Sequence, residues 1–305
     1  MPTSPFSAPG HWYRGNLHGH TTESDGAFTP AEYAAFYQGR GYHFAAVTDH
    51  WKVTDMSRFA TADFAFVPGA ELDGHDPVSG MHHVLGLGIR DVPARADAAR
   101  LQRTVDAIRG LGGLAFVAHP YWSAQTARDL LTTDGYTGIE VWNATCAVRW
   151  GKGLASVQWD ELLQAGRHVV ALASDDAHHR VDQGDDVGLG WVVVRCGALT
   201  ATAILDALRE GHFYASTGPE VLDLQLEYDA QAAAGSGPVA RVRCSPCRAI
   251  HFICNGPLGR ALHAAPGAML TEATLRLHRA ATYLRVECVD AEGKTAWTNP
   301  LDLRA

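Results

Sequence analysis

The chain has 305 residues and a formal net charge of −8, which argues against a sequence-independent grip on long nucleic acid, since that needs a basic surface. Hydrophobic residues at 47% and charged residues at 19% are the balance of a soluble globular protein with a large core. No run of about 18 apolar residues and no secretory leader in Met1 to Gly10 interrupts it, so a cytoplasmic protein with no membrane partner is expected. Six cysteines over this length make no dense disulfide framework, and Cys244 and Cys247 form an isolated C-x-x-C expected to hold free thiols rather than zinc.

In chain order, Thr29-Pro30-Ala31-Glu32 starts a helix with Thr as N-cap, Pro at its first position and Glu closing a capping box; it ends at Gly39 to Gly41. A strand is expected at His83 to Ile89. Leu101, Val105, Ile108 and Leu111 recur at helical spacing before Gly112-Gly113, and a strand follows at Leu114 to Ala118. Further strands are expected at Gly138 to Trp142 and Gly190 to Arg195, with helices at Asp160 to Ala165 and Thr200 to Arg209. After Ser216-Thr217-Gly218-Pro219 the texture changes. Val221 to Tyr228, Ala240 to Cys244, Ile250 to Cys254, Ala273 to His278 and Tyr283 to Val289 read as strands separated by Gly, Pro and Asn, and Ala230 to Gly237 as a low-complexity loop. Leu222, Leu224 and Leu226 alternate with polar residues, the period of a half-buried strand. The reading is an α/β domain at 1–215, with strands alternating with helices in a parallel sheet or barrel, and a small antiparallel β-sandwich at 216–305.

Metal-ligand side chains stand at or just past the ends of short apolar runs. Leu17 leads into His18-Gly19-His20 and Asp25, Phe44 to Val47 into Asp49-His50, and Phe66-Val67 into Glu71. Leu114 to Ala118 leads into His119, and Val169 to Ala173 into Asp176 and His178. In α/β sheets and barrels, chemistry gathers at the strands' C-terminal ends. His18 and His20 are two apart, as are Asp176 and His178, so each pair can face one ion. Imidazoles with carboxylates and no thiolate suit zinc, manganese or iron. Asp49 and Asp175, each beside a candidate ligand, are candidate acceptors that orient ligand imidazoles.

These segments carry a resemblance. Gly15 to Thr22, Ser24-Asp25-Gly26, Thr48-Asp49-His50, Gly69-Ala70-Glu71, Ala118-His119-Pro120 and Ser174 to His178 resemble, in sequence and order, the polymerase and histidinol phosphatase (PHP) family, over about residues 14 to 195. The resemblance implies a distorted (β/α)7 TIM-like barrel with a trinuclear metal centre that hydrolyses phosphoesters. It implies His18, His20, Glu71 and Asp176 around a first ion, and Glu71 bridging to a second held by His119 and one of His82 and His83. Asp25, His50 and His178 would hold a third. His83 is the choice, because His-Val-Leu-Gly-Leu is nearest the family's pattern and a strand sends only one of two adjacent side chains inward.

Two or three divalent ions (Mn, Fe or Zn) are therefore expected, with Glu71, Asp176 and His178 as the catalytic candidates. Lys52, with Arg149 or Lys152, is the candidate phosphate clamp; Asp185 and Asp186 are loop acids or partners of Lys52. Trp51, Trp122 and Trp142 are candidates for the pocket wall or for core packing. The expected activity is hydrolysis of a phosphomonoester or phosphodiester of a small metabolite or short oligonucleotide. Hydrolysis of a carbamate, ester or amide by the same centre is the alternative.

Overall fold

The computed structural model describes residues 4–180, 185–228 and 236–304. Seven strands lie side by side in sequence order: β1 (His11–Asn16), β2 (Phe44–Val47), β3 (Ala65–Asp76), β4 (Gly80–Leu87), β5 (Leu114–Val117), β6 (Gly138–Asn143) and β7 (Val170–Ser174). β1 pairs with β2, β2 with β3, β5 with β6 and β6 with β7, all in parallel. The expected parallel run breaks at β4, which is antiparallel to both β3 and β5. The cause is local: only residues 77–79 separate β3 from β4, and so short a link can only turn the chain back on itself. Just past the ends of β1 and β7, Gly19 and Ala177 form an isolated parallel bridge, bringing the first and last of the seven together.

Alternation along the strands builds two faces. Leu85 and Leu87 of β4, Phe116 of β5 and Leu172 of β7 form one buried cluster with Phe44 and Val67. Val84, Val117, Ala171 and Ala173 belong to another, packed with Leu101, Val105 and Ile108 of α2 (Leu101–Gly110) and Trp159 of α5 (Ser156–Gln164). Helix α1 (Pro30–Gln38) has its capping box, with Thr29 and Glu32 satisfying each other's backbone N–H groups. Two helices were not legible as such, α3 (Ala127–Leu130) and α4 (Ala144–Trp150). The last helix, α6 (Ala201–Glu210), is capped by Thr200 and ended by Gly211 at φ 75°.

β8 (Trp191–Cys196) lies antiparallel beside β1, and β9 (Phe213–Ser216) beside β8. The same sheet continues through β12 (Ala249–Ile253), β13 (Arg260–His263), β15 (Tyr283–Val289) and β16 (Thr295–Thr298), because β16 pairs with β9. A separate three-stranded antiparallel sheet joins β10 (Val221–Glu227), β11 (Ser236–Cys247) and β14 (Leu270–His278). Val242, Cys244, Cys247 and Leu277 of that sheet share a buried cluster with Ile250, Phe252, Val286 and Cys288 of the large one. All six thiols are free and buried. Ser236 and Gly237 belong to β11, and the rest of the expected loop, from Ala230 on, lies outside the described residues. Short β13, β16 and β17 (Leu301–Asp302) carry too few residues for a periodic signal.

Polar contacts tie the first 215 residues to the later strands, Asn299 and Arg285 among them. Asn299 accepts from Ala171 N–H at 3.0 Å and donates to the carbonyls of Gly211 and Phe213. Arg285, buried, donates to both oxygens of Asp160 at 2.8 Å, pairs with Glu287 and lies over the Trp159 ring at 4.7 Å. Among the described residues no helix is long and apolar enough to cross a membrane.

Candidate metal centre

The donors gather at one end of the seven strands, on the face that carries Leu85, Phe116 and Leu172. His18 and His20 follow β1, His50 follows β2, Glu71 is in β3, His83 in β4, His119 follows β5, and Asp176 and His178 follow β7. Gly19 lets the His-Gly-His segment pass close to α1: a Cβ there would sit 2.5 Å from the Tyr33 hydroxyl oxygen. Two of the donors, His119 (φ 29°) and Asp176 (φ 54°), have left-handed backbones, as do Trp51 and His179 beside His50 and His178. Such strain in non-glycine residues clusters where surroundings fix a functional geometry.

Four donor atoms crowd together. His18 Nε2 is 3.2 Å from Glu71 Oε2, 3.2 Å from Asp176 Oδ1 and 3.3 Å from His20 Nε2; His20 Nε2 is 3.3 Å from Glu71 Oε2 and 3.0 Å from Asp176 Oδ1. A regular tetrahedron with edges of about 3.2 Å, the length of these five, has its centre about 2.0 Å from each corner, the zinc–nitrogen and zinc–oxygen bond length. The residues thus fit an ion. A second group is His20, Asp25, His50 and His178, and a third is His50, Glu71 and His83. His178 Nε2 is 3.3 Å from Asp25 Oδ2, and His20 Nδ1 is 3.6 Å from Asp25 Oδ1 with no hydrogen-bond partner although buried. Glu71 Oε1 faces His83 Nδ1 at 2.8 Å and His119 Nε2 at 3.2 Å, so the two oxygens of Glu71 look toward different donor sets. The grouping differs in two respects from the expected one: His50 turns Nε2 to Asp25 but Nδ1 to Glu71 and Asp73, and His20 touches two groups.

The electrostatics point the same way. Burial pulls the His18 and His20 imidazoles down, but Asp176 and Glu71 outweigh it, holding His18 well above its ordinary value and His20 at about 10. Burial pushes Glu71 and Asp176 up; His18, joined by His83 for Glu71 and His20 for Asp176, pulls both well below the carboxylate range. Protons are held where a divalent cation would sit, and metal binding would displace them.

Supporting groups fix the tautomers. The His18 Nδ1–H donates to Glu140 Oε1 at 2.8 Å and that of His178 to the Asp176 carbonyl at 2.8 Å, so that Nε2 of each is the ring atom turned toward the other donors. Glu140, fully buried in β6, also accepts from Ser174 Oγ, His119 N–H and Asn143 Nδ2. Sequence reasoning missed Glu140 and Asn143, although a glutamate alternating with the apolar Ile139 and Val141 was a signal. Exchanging Glu140 for Gln replaces one acceptor oxygen by a donor. We expect metal affinity to fall about 10–100-fold with the fold intact, measured by chelator competition beside circular dichroism. Unchanged affinity would remove Glu140 from the centre.

Asp49 and Asp175 touch no ligand imidazole. Asp49 accepts from Thr21 N–H, Ser24 and Thr54, holding the turn before Asp25. Asp175 accepts from Tyr37 and three backbone N–H groups at 188–190, and burial pushes it up to about 6. His82 and His83 face opposite ways: His82 meets Thr104 of α2 at 3.1 Å, while His83 meets Glu71. His83→Ala should accordingly lose metal, read by elemental analysis, and His82→Ala should keep most of it; the reverse would mean a register error.

Above the donors is a cavity of about 270 Å3 lined also by Trp122, Thr145, Cys146, Arg149, Trp150 and Arg180. Of the expected clamp only Arg149 lines it, and its guanidinium donates to Asp186 at 2.6 Å. Lys52 is exposed and paired with Glu23 rather than with Asp185 or Asp186, and Lys152 extends over Tyr121, so neither lines the pocket. Arg180, missed from the sequence, is at the rim beside Asp25. Trp122 lines the cavity; Trp51 is under Arg95 and Trp142 stacks on Trp297.

No protein-family model matches the chain, and no curated protein matches it. Solved structures it is similar to include a two-domain protein described as containing a predicted PHP-like metal-dependent phosphoesterase, from Bacteroides vulgatus, at 12% identity over 96% of each chain and a TM-score of 0.49. An amidohydrolase from Chromobacterium violaceum with bound sulfate is 20% identical over 55% of this chain and 89% of that one, at a TM-score of 0.44. A protein from Bifidobacterium adolescentis, named for metal-dependent phosphoesterase activity, is 16% identical over 54% of this chain and 88% of that one, at 0.39.

Proposed function

We propose that the chain is a metal-dependent hydrolase that cleaves a phosphomonoester or phosphodiester of a small metabolite or short oligonucleotide. The observation that carries this reading is the buried tetrad of His18, His20, Glu71 and Asp176, joined through the second oxygen of Glu71 to His83 and His119. Two or three divalent ions, manganese, iron or zinc, would be held by that tetrad, by Glu71 with His83 and His119, and by Asp25, His50 and His178. Divalent ions there supply an acidified water near neutral pH and charge to stabilise phosphate oxygens. We read β1 to β7 as a distorted (β/α)7 barrel closed at Gly19 and Ala177, and 216–305 as an accessory sandwich domain that supplies no ligand.

The chain's own residues shape the rest. In the reaction a water oxygen bonds to phosphorus, the ester P–O bond breaks with its electron pair, and the leaving alcohol takes a proton. His178, its Nδ1–H fixed on the Asp176 carbonyl, presents Nε2 to the cavity side by Asp25. Arg180 places positive charge at the rim, where an anionic substrate would enter.

One observation favours the alternative, hydrolysis of a carbamate, ester or amide. Among the described residues lining the cavity, both arginines already face carboxylates, Arg149 on Asp186 and Arg180 on Asp25. The test is phosphate release from phosphomonoesters, diesters and short oligonucleotides against p-nitrophenol release from carboxylate esters, with manganese added. Phosphate turnover alone upholds the proposal; ester turnover alone replaces it by the alternative.

A further inference from the structure

We propose that the outer wall of the cavity selects a phosphoester whose leaving group carries a flat aromatic ring at or within one carbon of the ester oxygen, an aryl or arylmethyl phosphate. This rests on the phosphoesterase reading of the site. The cavity, about 270 Å3, is smaller than the sites that enclose drug-sized ligands, about 300–1,000 Å3, so the part of a substrate it encloses is a phosphoryl group and the group next to it.

Trp122 stands edge-on to two of the donors, its ring 5.6 Å from that of His83 and 5.0 Å from that of His119, both at 83°. Its position is therefore fixed beside the place a phosphoryl group would occupy. Trp150 continues this wall outward, with its ring 5.5 Å from Trp122 at an angle of 56°. It is at the last position of α4, next to Gly151 in the left-handed region, and is 52% exposed. With Trp122 it makes a pair of adjoining indoles, one inside the pocket and one half in water at its mouth, an aromatic surface continuous with the donors. Two rings at this angle can hold a third in offset or edge-on contact.

Several polar groups of the same cavity are already engaged with the protein. The single O–H proton of Thr145 is taken by the Asp176 carbonyl at 2.7 Å and Asp186 at 3.0 Å, and both arginines lining the cavity face carboxylates.

The test compares benzyl phosphate with n-propyl phosphate on the full manganese-loaded chain, since the two alcohols are of similar acidity and the chemical step is matched. Alongside it, benzylphosphonate and propylphosphonate are titrated by tryptophan fluorescence. We expect KM to be about tenfold lower for the benzyl ester, the same preference among the phosphonates, and a benzyl-to-propyl kcat/KM ratio that falls toward one in Trp150→Ala and recovers in Trp150→Phe. Exposed Trp150 can be truncated with little risk to the fold. Equal KM values, or a ratio that Trp150→Ala leaves alone, overturn the inference while turnover of both esters upholds the phosphoesterase reading. Should neither ester turn over, the phosphoesterase reading is decided by the wider panel of diesters and oligonucleotides, and the phosphonates still decide the inference: a preference for the benzyl compound lost in Trp150→Ala supports the aromatic wall, and equal binding refutes it.

Discussion

Glu71→Gln is expected to lower hydrolysis by about a hundredfold or more while the protein keeps most of its metal. One oxygen of Glu71 is 3.2 Å from His18 Nε2 and 3.3 Å from His20 Nε2; the other is 2.8 Å from His83 and 3.2 Å from His119. An amide keeps one neutral oxygen for one donor set and turns an N–H2 group toward the other. It also removes a negative charge from a buried cluster whose charge would balance the cations. Initial rates beside elemental analysis of the same preparation check this. Full activity would show that Glu71 does not link two ions, and equal loss of rate and metal would make it an ordinary ligand.

The second large effect is on stability. Arg285→Met removes a buried guanidinium and leaves Asp160 and Glu287 facing an apolar side chain, one carboxylate on each side of the junction between the first 215 residues and the later strands. Removing one member of a buried ion pair costs about 3–5 kcal/mol, because the partner charge stays behind without compensation. Chemical denaturation should show a loss of about 3 kcal/mol, with Asp160→Asn weaker because Glu287 still faces the arginine. A change within about 0.5 kcal/mol would make this an exposed pair of little weight.

Much of the site was legible because metal ligands obey two strong local rules. They are residue types seldom buried without a reason, and they follow short apolar runs, as His50 follows Phe44 to Val47 and His119 follows Leu114 to Ala118. The side of the strand was legible where alternation is strict: His83, Leu85 and Leu87 share one face and His82 takes the other. Chain direction was not, since hydrophobic period is the same for parallel and antiparallel strands, and only the three-residue link before Gly80 distinguishes β4. Long-range pairing was also hidden. Glu140 reaches His18 across 122 positions, and no local pattern says which imidazole a buried carboxylate will meet. The surface cations failed for the opposite reason: Lys52 is near His50 in sequence, but a long flexible side chain pairs with whatever acid is at hand, here Glu23. Arg180 is two residues past His178, and its place at the rim follows only from the turn that brings it to Asp25.

The central claim is a polynuclear metal centre, and the most direct measurement is the metal content of the full chain. Protein expressed with manganese, iron and zinc supplied should carry two or three divalent ions per chain by elemental analysis. The content should drop in His18→Ala and Asp176→Ala, which remove two corners of the tetrad. Less than about one ion per chain in well-folded protein, unchanged by either substitution, would contradict it.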